Sequence, residues 1–380
     1  MITDIAPRRA SAWPCTVATM KKWVVPENSN KRVQRASRMI GKGTGTPEEI
    51  REARDVLSNY RLAHAFPLNA VTVTVRQRAL AVNPNAVVAE RRKRLPTILD
   101  KLKRHPTMSV TTMQDLGGCR VVFGTVAEVD ELVRVLVDLP RSKNRVKKVY
   151  DYLRGDPGPR DSGYRGVHLV YEYGASKKEY HGLRIELQVR TLLQHAWATA
   201  VETMDLFSGS ELKYGKGDAD VLRFFVLVGS LMAYEEGTTP VPGAEGTREE
   251  LAAELAHLEA NVGVLERLRG YAAIVGEHAK TDRRNTLTLE LWRTEGRLTV
   301  TVHETLAAAE DRITELEALD DENLDAVLIN IARISQLRDA YPNYFADTGR
   351  FTEFVVACLS AQHSHATFQA HTQDSLSHNI

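Results

Sequence analysis

Cysteine is close to missing from this chain. Cys15, Cys119 and Cys358 are the only three among 380 residues, with no C-x-x-C spacing, which argues against a disulfide framework or a structural zinc site and for a reducing compartment. No apolar run approaches the ~18 residues needed to span a bilayer, and no signal-peptide pattern is recognisable. A soluble cytoplasmic protein without membrane contact is therefore expected. No internal repeat is visible. Nor does one charge dominate: the formal net charge is +1, which says nothing by itself.

What is present is an uneven distribution. Residues 1 to 110 hold 21 Lys/Arg against 8 Asp/Glu, a net of +13, whereas residues 231 to 330 hold 9 against 21, a net of −12. Such asymmetry suggests a basic part that faces nucleotide or RNA and an acidic part able to cover it; solvated helix faces of opposite sign give the same counts. With 43% hydrophobic and 26% charged residues, the chain has the composition of an ordinary globular protein of two or three domains.

Periodicity predicts helices over 31–40 and 47–66, the second opened by Thr46 as N-cap with Pro47 at its first position and closed by Pro67. Residues 68–75 fit helix or strand equally. Helices follow around 87–103 and 126–138, flanking a strand at Val121, with further strands at 145–150, 167–173 and 184–189. Helices are expected over 191–205, 221–234 and 248–275, with a Gly/Pro/Thr-rich linker at 236–246. A hairpin of 286–292 and 297–303 turns at Glu295-Gly296, and an acidic helix covers 304–317 and again 324–340.

The most informative stretch is Leu183-Arg184-Ile185-Glu186-Leu187-Gln188-Val189-Arg190-Thr191. Period-2 spacing puts Arg184, Glu186, Gln188 and Arg190 on one side and the aliphatic residues on the other, so one set can bury while the other faces a cleft; a solvated strand face also alternates. Upstream, Asp115-Leu116-Gly117-Gly118-Cys119-Arg120 leads an acidic residue into a buried strand. Asp115 and Glu186, from adjacent strands, could share a hard cation such as Mg²⁺, which takes one or two carboxylates plus phosphate oxygens. A turn aspartate with a structural role is the plainer reading of Asp115. The run Arg91-Arg92-Lys93-Arg94, with Lys101 and Lys103 after it, supplies cations, though such runs are usually solvated. Asp151-Tyr152 and Gly163-Tyr164-Arg165-Gly166-Val167-His168 complete the set.

In this order and at these spacings, the motifs across residues 75 to 205 resemble the synthetase domain of the RelA/SpoT alarmone synthetase family. The resemblance implies a nucleotidyltransferase-like fold that transfers the β,γ-pyrophosphate of ATP to a ribose 3′-hydroxyl. Arg91 and Arg120 match the arginines that sandwich adenine, and Lys93 and Lys101 match residues that neutralise the triphosphate. Asp115 matches the magnesium ligand, and Glu186 the residue that assists magnesium and draws the proton from the attacking hydroxyl. Tyr164 matches the aromatic on which the acceptor nucleotide stacks, while His168, Gln188 and Arg190 match polar groups of the same cleft. Two positions depart from the family pattern. Tyr150 stands where a lysine usually precedes Asp-Tyr, and the lysine before the Gly-Tyr loop appears as Arg160 after an insertion. Both changes weaken a phosphate pocket for a guanosine nucleotide, whereas Lys143, Arg145, Lys147 and Lys148 supply positive charge suited to RNA.

Near the C-terminus, Tyr341-Pro342-Asn343-Tyr344-Phe345 sets two aromatic rings about a turn. Its plainer role is a hydrophobic plug. Hairpin, helix and this motif, without zinc-binding cysteines, resemble the pseudo-zinc-finger domain of CapRel-type fused toxin–antitoxin proteins. That resemblance implies a toxin that pyrophosphorylates the tRNA 3′-CCA end. Tyr341 and Tyr344 would block the ATP site as an intramolecular antitoxin until a phage structural protein, such as the major capsid protein, pulls the domain away. The expected fold is α+β, a mixed β-sheet flanked by helices, with a helical and β-hairpin C-terminal pseudo-zinc-finger domain. Its parts are an N-terminal helical region (1–75), the pyrophosphokinase domain (76–235), a linker and connecting helix (236–280), the sensor domain (281–362) and a disordered tail (363–380). A monomer is compatible with this reading. Two alternatives stay open: an alarmone synthetase using GDP or GTP as acceptor, and an inactive RNA- or partner-binding module.

Overall fold

The computed structural model of the protein describes residues 23–139, 143–208, 212, 215–274, 286–292, 297–319, 321, 323–331 and 348–360. Its strands are β1 (Val87–Arg92), β2 (Gly117–Phe123), β3 (Arg145–Asp151), β4 (Val167–Glu172), β5 (Arg184–Thr191), β6 (Thr286–Trp292), β7 (Arg297–Val302) and β8 (Leu324–Ile331). They form one sheet in the order β3-β4-β5-β2-β1-β8-β6-β7. β2 and β5 run parallel, and every other neighbouring pair is antiparallel. The fold is thus α+β with a mixed sheet flanked by helices, as the sequence suggests.

Alternation in β2 and β5 decides which face is buried. Cys119, Val121 and Phe123 of β2, Ile185, Leu187 and Val189 of β5, and Leu169 of β4 pack against helices α3 (Ala65–Val82) and α5 (Val126–Val137). Each fully buried aliphatic side chain there contributes about 1.5–3 kcal/mol. The polar residues of the same strands are left on the opposite face, which is not covered by α3 and α5.

The helices before β1 depart from expectation at one proline. α2 (Pro47–Ala63) opens with the anticipated Thr46 cap, completed as a capping box by Glu49. Pro67 does not end it. The chain breaks at His64 and continues as α3, where Pro67 falls in the first turn and its missing N–H removes no helical bond. Residues 68–75 are therefore helix, and the boundary expected at residue 75 lies inside α3. Helices α1 (Asn30–Lys42), α2 and α4 (Leu95–Arg104) share a second core with Tyr173, Tyr180 and Leu183. A third core joins α6 (Leu192–Ser208), α7 (Ala219–Glu235), α8 (Arg248–Val262) and α9 (Val264–Ile274) to Phe351 and Val355 of a last helix over 349–360.

Several sequence expectations are corrected. Residues 87–92 are strand β1 rather than the start of a helix, because pairing with β2 on one side and β8 on the other outweighs local propensity. Residues 324–331 are strand β8 rather than helix, held between β1 and β6. The helix expected over 248–275 is two helices broken at Gly263, whose φ of +59° is the left-handed conformation of a helix end. The hairpin pairs as anticipated, with Leu287 opposite Val302 and Leu291 opposite Leu298, and β8 joins it to β1 in the one sheet. The expected linker is pinned to the body: Thr239 N–H donates to the Leu153 carbonyl at 3.2 Å, and Arg165 donates to the Thr239 carbonyl at 2.7 Å. The hairpin turn at Glu295-Gly296, Tyr341, Tyr344 and the tail lie outside the described residues.

Candidate active site

Register places the expected site residues on one face. Arg91 on β1 stands opposite Gly118 on β2, which stands opposite Glu186 on β5. In the next row Ala89, Arg120, Gln188, His168 and Tyr150 run across β1, β2, β5, β4 and β3. Residues directly opposite in a sheet share a face, so Arg91, Arg120, Glu186, Gln188, His168 and Tyr150 all project from the side away from α3. A cavity of 580 Å³ opens there, lined by these residues with Lys101, Asp115, Tyr152, Arg160, Tyr164 and Arg190. Its far end is apolar, built from Trp197, Val201, Leu222 and Phe225. A side recess of 70 Å³ lies over β1 and β2 and is lined by Ala89, Arg91, Lys93, Asp115, Arg120 and Glu186.

The placement of the two expected adenine arginines follows from this register. Arg91 and Arg120 are diagonal neighbours, since Arg120 lies two residues beyond the glycine that faces Arg91. Diagonal side chains start about 7 Å apart, which is twice the ~3.5 Å contact distance of a planar ring. Two guanidinium groups so placed can hold a base between them. Next to them, Asp115 Oδ2 accepts from Lys93 Nζ at 2.5 Å, and Asp115 Oδ1 lies 3.8 Å from Lys101 Nζ. Both expected triphosphate lysines and the expected metal ligand therefore meet at one point. Asp115 Oδ1 is buried without a hydrogen-bond partner among the described residues.

That oxygen, together with Glu186 in the same recess, fits a magnesium ion, which accepts few carboxylates and completes its shell with phosphate oxygens and water. No group of three or more His, Cys, Asp or Glu side chains gathers among the described residues, so a protein-only metal cage is absent there.

Further along the cleft, side chains on β5 form a chain of hydrogen bonds. Arg190 Nη2 donates to Gln188 Oε1 at 2.5 Å, and Gln188 Nε2 donates to Glu186 Oε2 at 2.8 Å. His168 Nδ1 lies 3.1 Å from Glu186 Oε1, and its Nε2 lies 2.6 Å from the Tyr164 hydroxyl. Burial disfavours the His168 cation, but the Tyr164 oxygen and the Glu186 carboxylate outweigh it and lift its pKa to about 9. Burial likewise pushes the Glu186 carboxyl up, while His168, Gln188 and Lys93 pull it down further, to about 2. His168 is thus a cation at neutral pH that donates from both ring nitrogens, and Glu186 stays ionised. Tyr164 is itself lowered: burial raises it, and the charges of Arg190 and His168 more than offset that.

Tyr164 is less available for stacking than the resemblance implies. Its ring meets Tyr152, His168 and Trp197 edge-on, with centroids 5.9, 5.6 and 6.3 Å away. The loop that carries it is seated by Gly163, whose φ is +92°; a Cβ there would lie 2.8 Å from the Phe225 carbonyl. Aromatic surface comes also from Tyr150 and Tyr152, parallel within 2° at 6.1 Å. Lys148 Nζ sits 4.3 Å over the Tyr150 ring, and the Arg160 guanidinium 4.5 Å over Tyr152. Arg190 lines the cleft, and its Nε and Nη1 are buried without hydrogen-bond partners among the described residues. That is the environment of an arginine suited to an anionic ligand.

The expected RNA-facing cations lie on or beside edge strand β3, and Lys143, Arg145, Lys147 and Lys148 are all exposed. A register shift between Val146 and Lys148 keeps Arg145 and Lys148 opposite Glu172 and Val170, on the cleft face. Lys147 is committed to Glu172 at 3.1 Å.

Sequence reasoning missed two groups of residues. Gln114, which donates to the Tyr150 hydroxyl at 3.4 Å, lines the cleft, and its position just before Asp115 was an available hint. Arg61, Glu310 and Glu317 help to bridge β1 and the helices beside it to the C-terminal part: Arg61 pairs with Glu317 at 3.0 Å and Arg92 with Glu310 at 3.0 Å. Nothing local in the sequence signals a pair 256 positions apart.

Comparison with known proteins finds likenesses over part of the chain. The family described as "Region found in RelA / SpoT proteins" matches residues 90–206. An uncharacterized protein of Mycobacterium tuberculosis is 28% identical over 190 residues, which is 50% of this chain and 63% of that protein. The GTP pyrophosphokinase YjbM of Bacillus subtilis is 32% identical over 133 residues, which is 34% of this chain and 60% of that protein. The chain therefore spans less than two thirds of the length of these relatives. Among solved structures, the small alarmone synthetase 1 from Bacillus subtilis bound to its product pppGpp is 20% identical, with a TM-score of 0.40 over 47% of this chain and 92% of that one.

Proposed function

We propose that this cleft is a pyrophosphokinase centre that moves the β,γ-pyrophosphate of ATP to a ribose 3′-hydroxyl, and that its acceptor is the 3′-CCA end of tRNA. The observation that carries the transfer reading is one sheet face bearing two stackable arginines, two lysines gathered on Asp115, and Glu186 held ionised by His168. Arg91 and Arg120 hold adenine, and Lys93 and Lys101 leave Asp115 for the triphosphate oxygens. Magnesium, held by Asp115 and Glu186, would offset charge on those oxygens.

The acceptor oxygen attacks the β-phosphorus, the bond from that phosphorus to the α,β-bridging oxygen breaks, and AMP departs. A loose transition state places little demand on basicity. Glu186 can therefore orient the hydroxyl and take its proton late despite a pKa of about 2, passing it on to water. His168 holds Glu186 in place and keeps it charged.

The acceptor reading rests on the aromatic and cationic surface. Tyr150 occupies a position where a phosphate-binding lysine would favour a guanosine nucleotide, and Tyr150 with Tyr152 offers flat surface for unstacked bases. Arg145 and Lys148 on the exposed edge of β3 extend that surface for a polyanionic backbone. A guanosine acceptor is the second reading, favoured by the name of YjbM, a GTP pyrophosphokinase.

Regulation completes the proposal. The segment with Tyr341 and Tyr344 acts as an inhibitor at the donor site, and a phage structural protein such as the major capsid protein relieves it. In support, β8 ends at Ile331 opposite Ala89, which lines the donor recess. Phe351, after the segment, packs on Phe225, which lines the apolar end of the cleft. One tube containing γ-labelled ATP, tRNA and guanosine nucleotides decides the acceptor. Label on tRNA is the expected result, label in guanosine tetra- or pentaphosphate alone would establish the second reading, and no transfer at all would leave a binding module.

A further inference from the structure

Helix α4 has no cap of its own. Arg94 stands at its N-cap position and makes no side-chain cap hydrogen bond, although the first N–H groups of a helix need acceptors. The acceptor comes from the far end of the chain. Glu317 on α10 (Leu306–Ala318) accepts from Leu95 N–H at 3.3 Å, and its two oxygens receive the two terminal nitrogens of Arg61 at 3.0 and 3.2 Å. Arg61 also donates to the Lys93 carbonyl at 3.4 Å, while Lys93 N–H donates to the Leu116 carbonyl at 2.9 Å. Side-chain exposure of the Arg61–Glu317 pair is 5% and 12%, so water screens it little.

We infer that Glu317 is a positioning residue for the donor end of the cleft, capping α4 in trans, and that the docked C-terminal unit is a working part of that end. The turn it grips, Lys93 to Leu95, joins the strand that carries Arg91 to the helix that carries Lys101. Lys93 and Lys101 both converge on Asp115. A carboxylate at a helix N-terminus both accepts the orphan N–H and opposes the helix dipole, so its loss loosens the first turn of α4 and spreads the two lysines. This inference rests on reading Arg91, Lys93 and Lys101 as the ATP side. It goes beyond inhibition because it gives the C-terminal unit the opposite sign of effect: α10 and β8 support donor binding, and any inhibitory contact belongs to the chain beyond β8.

The test uses the full chain with Glu317→Ala and Glu317→Gln, measuring KM for ATP, KM for the acceptor and kcat, together with amide exchange at Leu95, Thr97 and Ile98. Glu317→Ala should raise the ATP KM about tenfold, leave the acceptor KM and kcat within twofold, and speed exchange at those amides. Glu317→Gln keeps an oxygen for Leu95 N–H and should fall in between. If Glu317→Ala fails to fold, the Gln variant decides by the same readings. A higher turnover, or an unchanged ATP KM with unchanged exchange, would overturn the inference and leave the C-terminal unit only a cover. Exchange needs no catalysis, so it still decides the cap if the wild-type protein transfers nothing, an outcome that would count against the pyrophosphokinase reading instead.

Discussion

Replacing His168 with glutamine should let the Glu186 carboxyl of the metal-free protein titrate in a pH range where the wild-type carboxyl stays ionised. Glu186 stays ionised to about pH 2 chiefly because the His168 cation, 3.1 Å away, outweighs the cost of burial. At an effective dielectric near 20, two unit charges at that separation attract by about 5 kcal/mol, an upper bound equivalent to nearly 4 pH units. Glutamine at 168 removes this charge while the bond from Gln188 remains, so the Glu186 carboxyl should rise toward about pH 5–6, the limit that this bound allows. Carboxyl NMR of Glu186 in metal-free protein, followed from about pH 4.5 to 8 at constant ionic strength, should then show a midpoint near pH 5–6 in His168→Gln and none in wild type. Circular dichroism at each pH separates this from unfolding. A folded variant with the wild-type profile would refute the claim that His168 holds Glu186 in its working charge state.

Three further outcomes are expected. Because the folded pKa of His168 is lifted from 6.5 to about 9, its stabilisation is complete below pH 6.5 and lost as pH rises through 9. Glu186, lowered from 4.5 to about 2, contributes above pH 4.5 and loses that contribution as pH falls through 2; melting temperature should therefore drop between about pH 7 and 9.5 more steeply in wild type than in His168→Gln. Removing both edge cations, Arg145→Ala with Lys148→Ala, should lower the slope of log affinity for tRNA against log salt by roughly 0.7 for each phosphate left without a cation, and an unchanged slope would place the RNA elsewhere. Gly163→Ala forces a side chain into φ +92° and within 2.8 Å of the Phe225 carbonyl, so chemical denaturation should register a loss of at least about 2 kcal/mol; a neutral result would mean the loop is loosely seated.

The cleft was legible because its logic is local. Alternation along residues 183–191 assigns a face to each side chain, and register with β2 and β4 then collects Arg120, Gln188 and His168 in one row. The Thr46 cap was legible for the same reason, since its capping partner Glu49 is three residues away. β1 was not legible. Arg91-Arg92-Lys93-Arg94 has no alternation, and its strand form comes from neighbours about 30 and 240 residues downstream in sequence, a matter of pairing rather than propensity. β8 was misread for a related reason, as a short strand next to an acidic helix whose pattern continues into it. Pro67 misled because proline signals an end or a beginning with equal force, and only its place in the first turn of α3 tells which.

The pairing of β8 with β1 at Ala89 and Glu90 bears on how the chain ahead of β6 behaves once severed from the C-terminal unit. Cutting the chain ahead of β6 would bare the backbone N–H and C=O groups along the outer side of β1, a ready template for a strand from another molecule. Such a fragment should self-associate through this bared flank, and material lost as aggregate would mimic inactivation. Single substitutions in the intact chain avoid that confusion, whereas deletion mixes a change in regulation with the uncapping of a sheet.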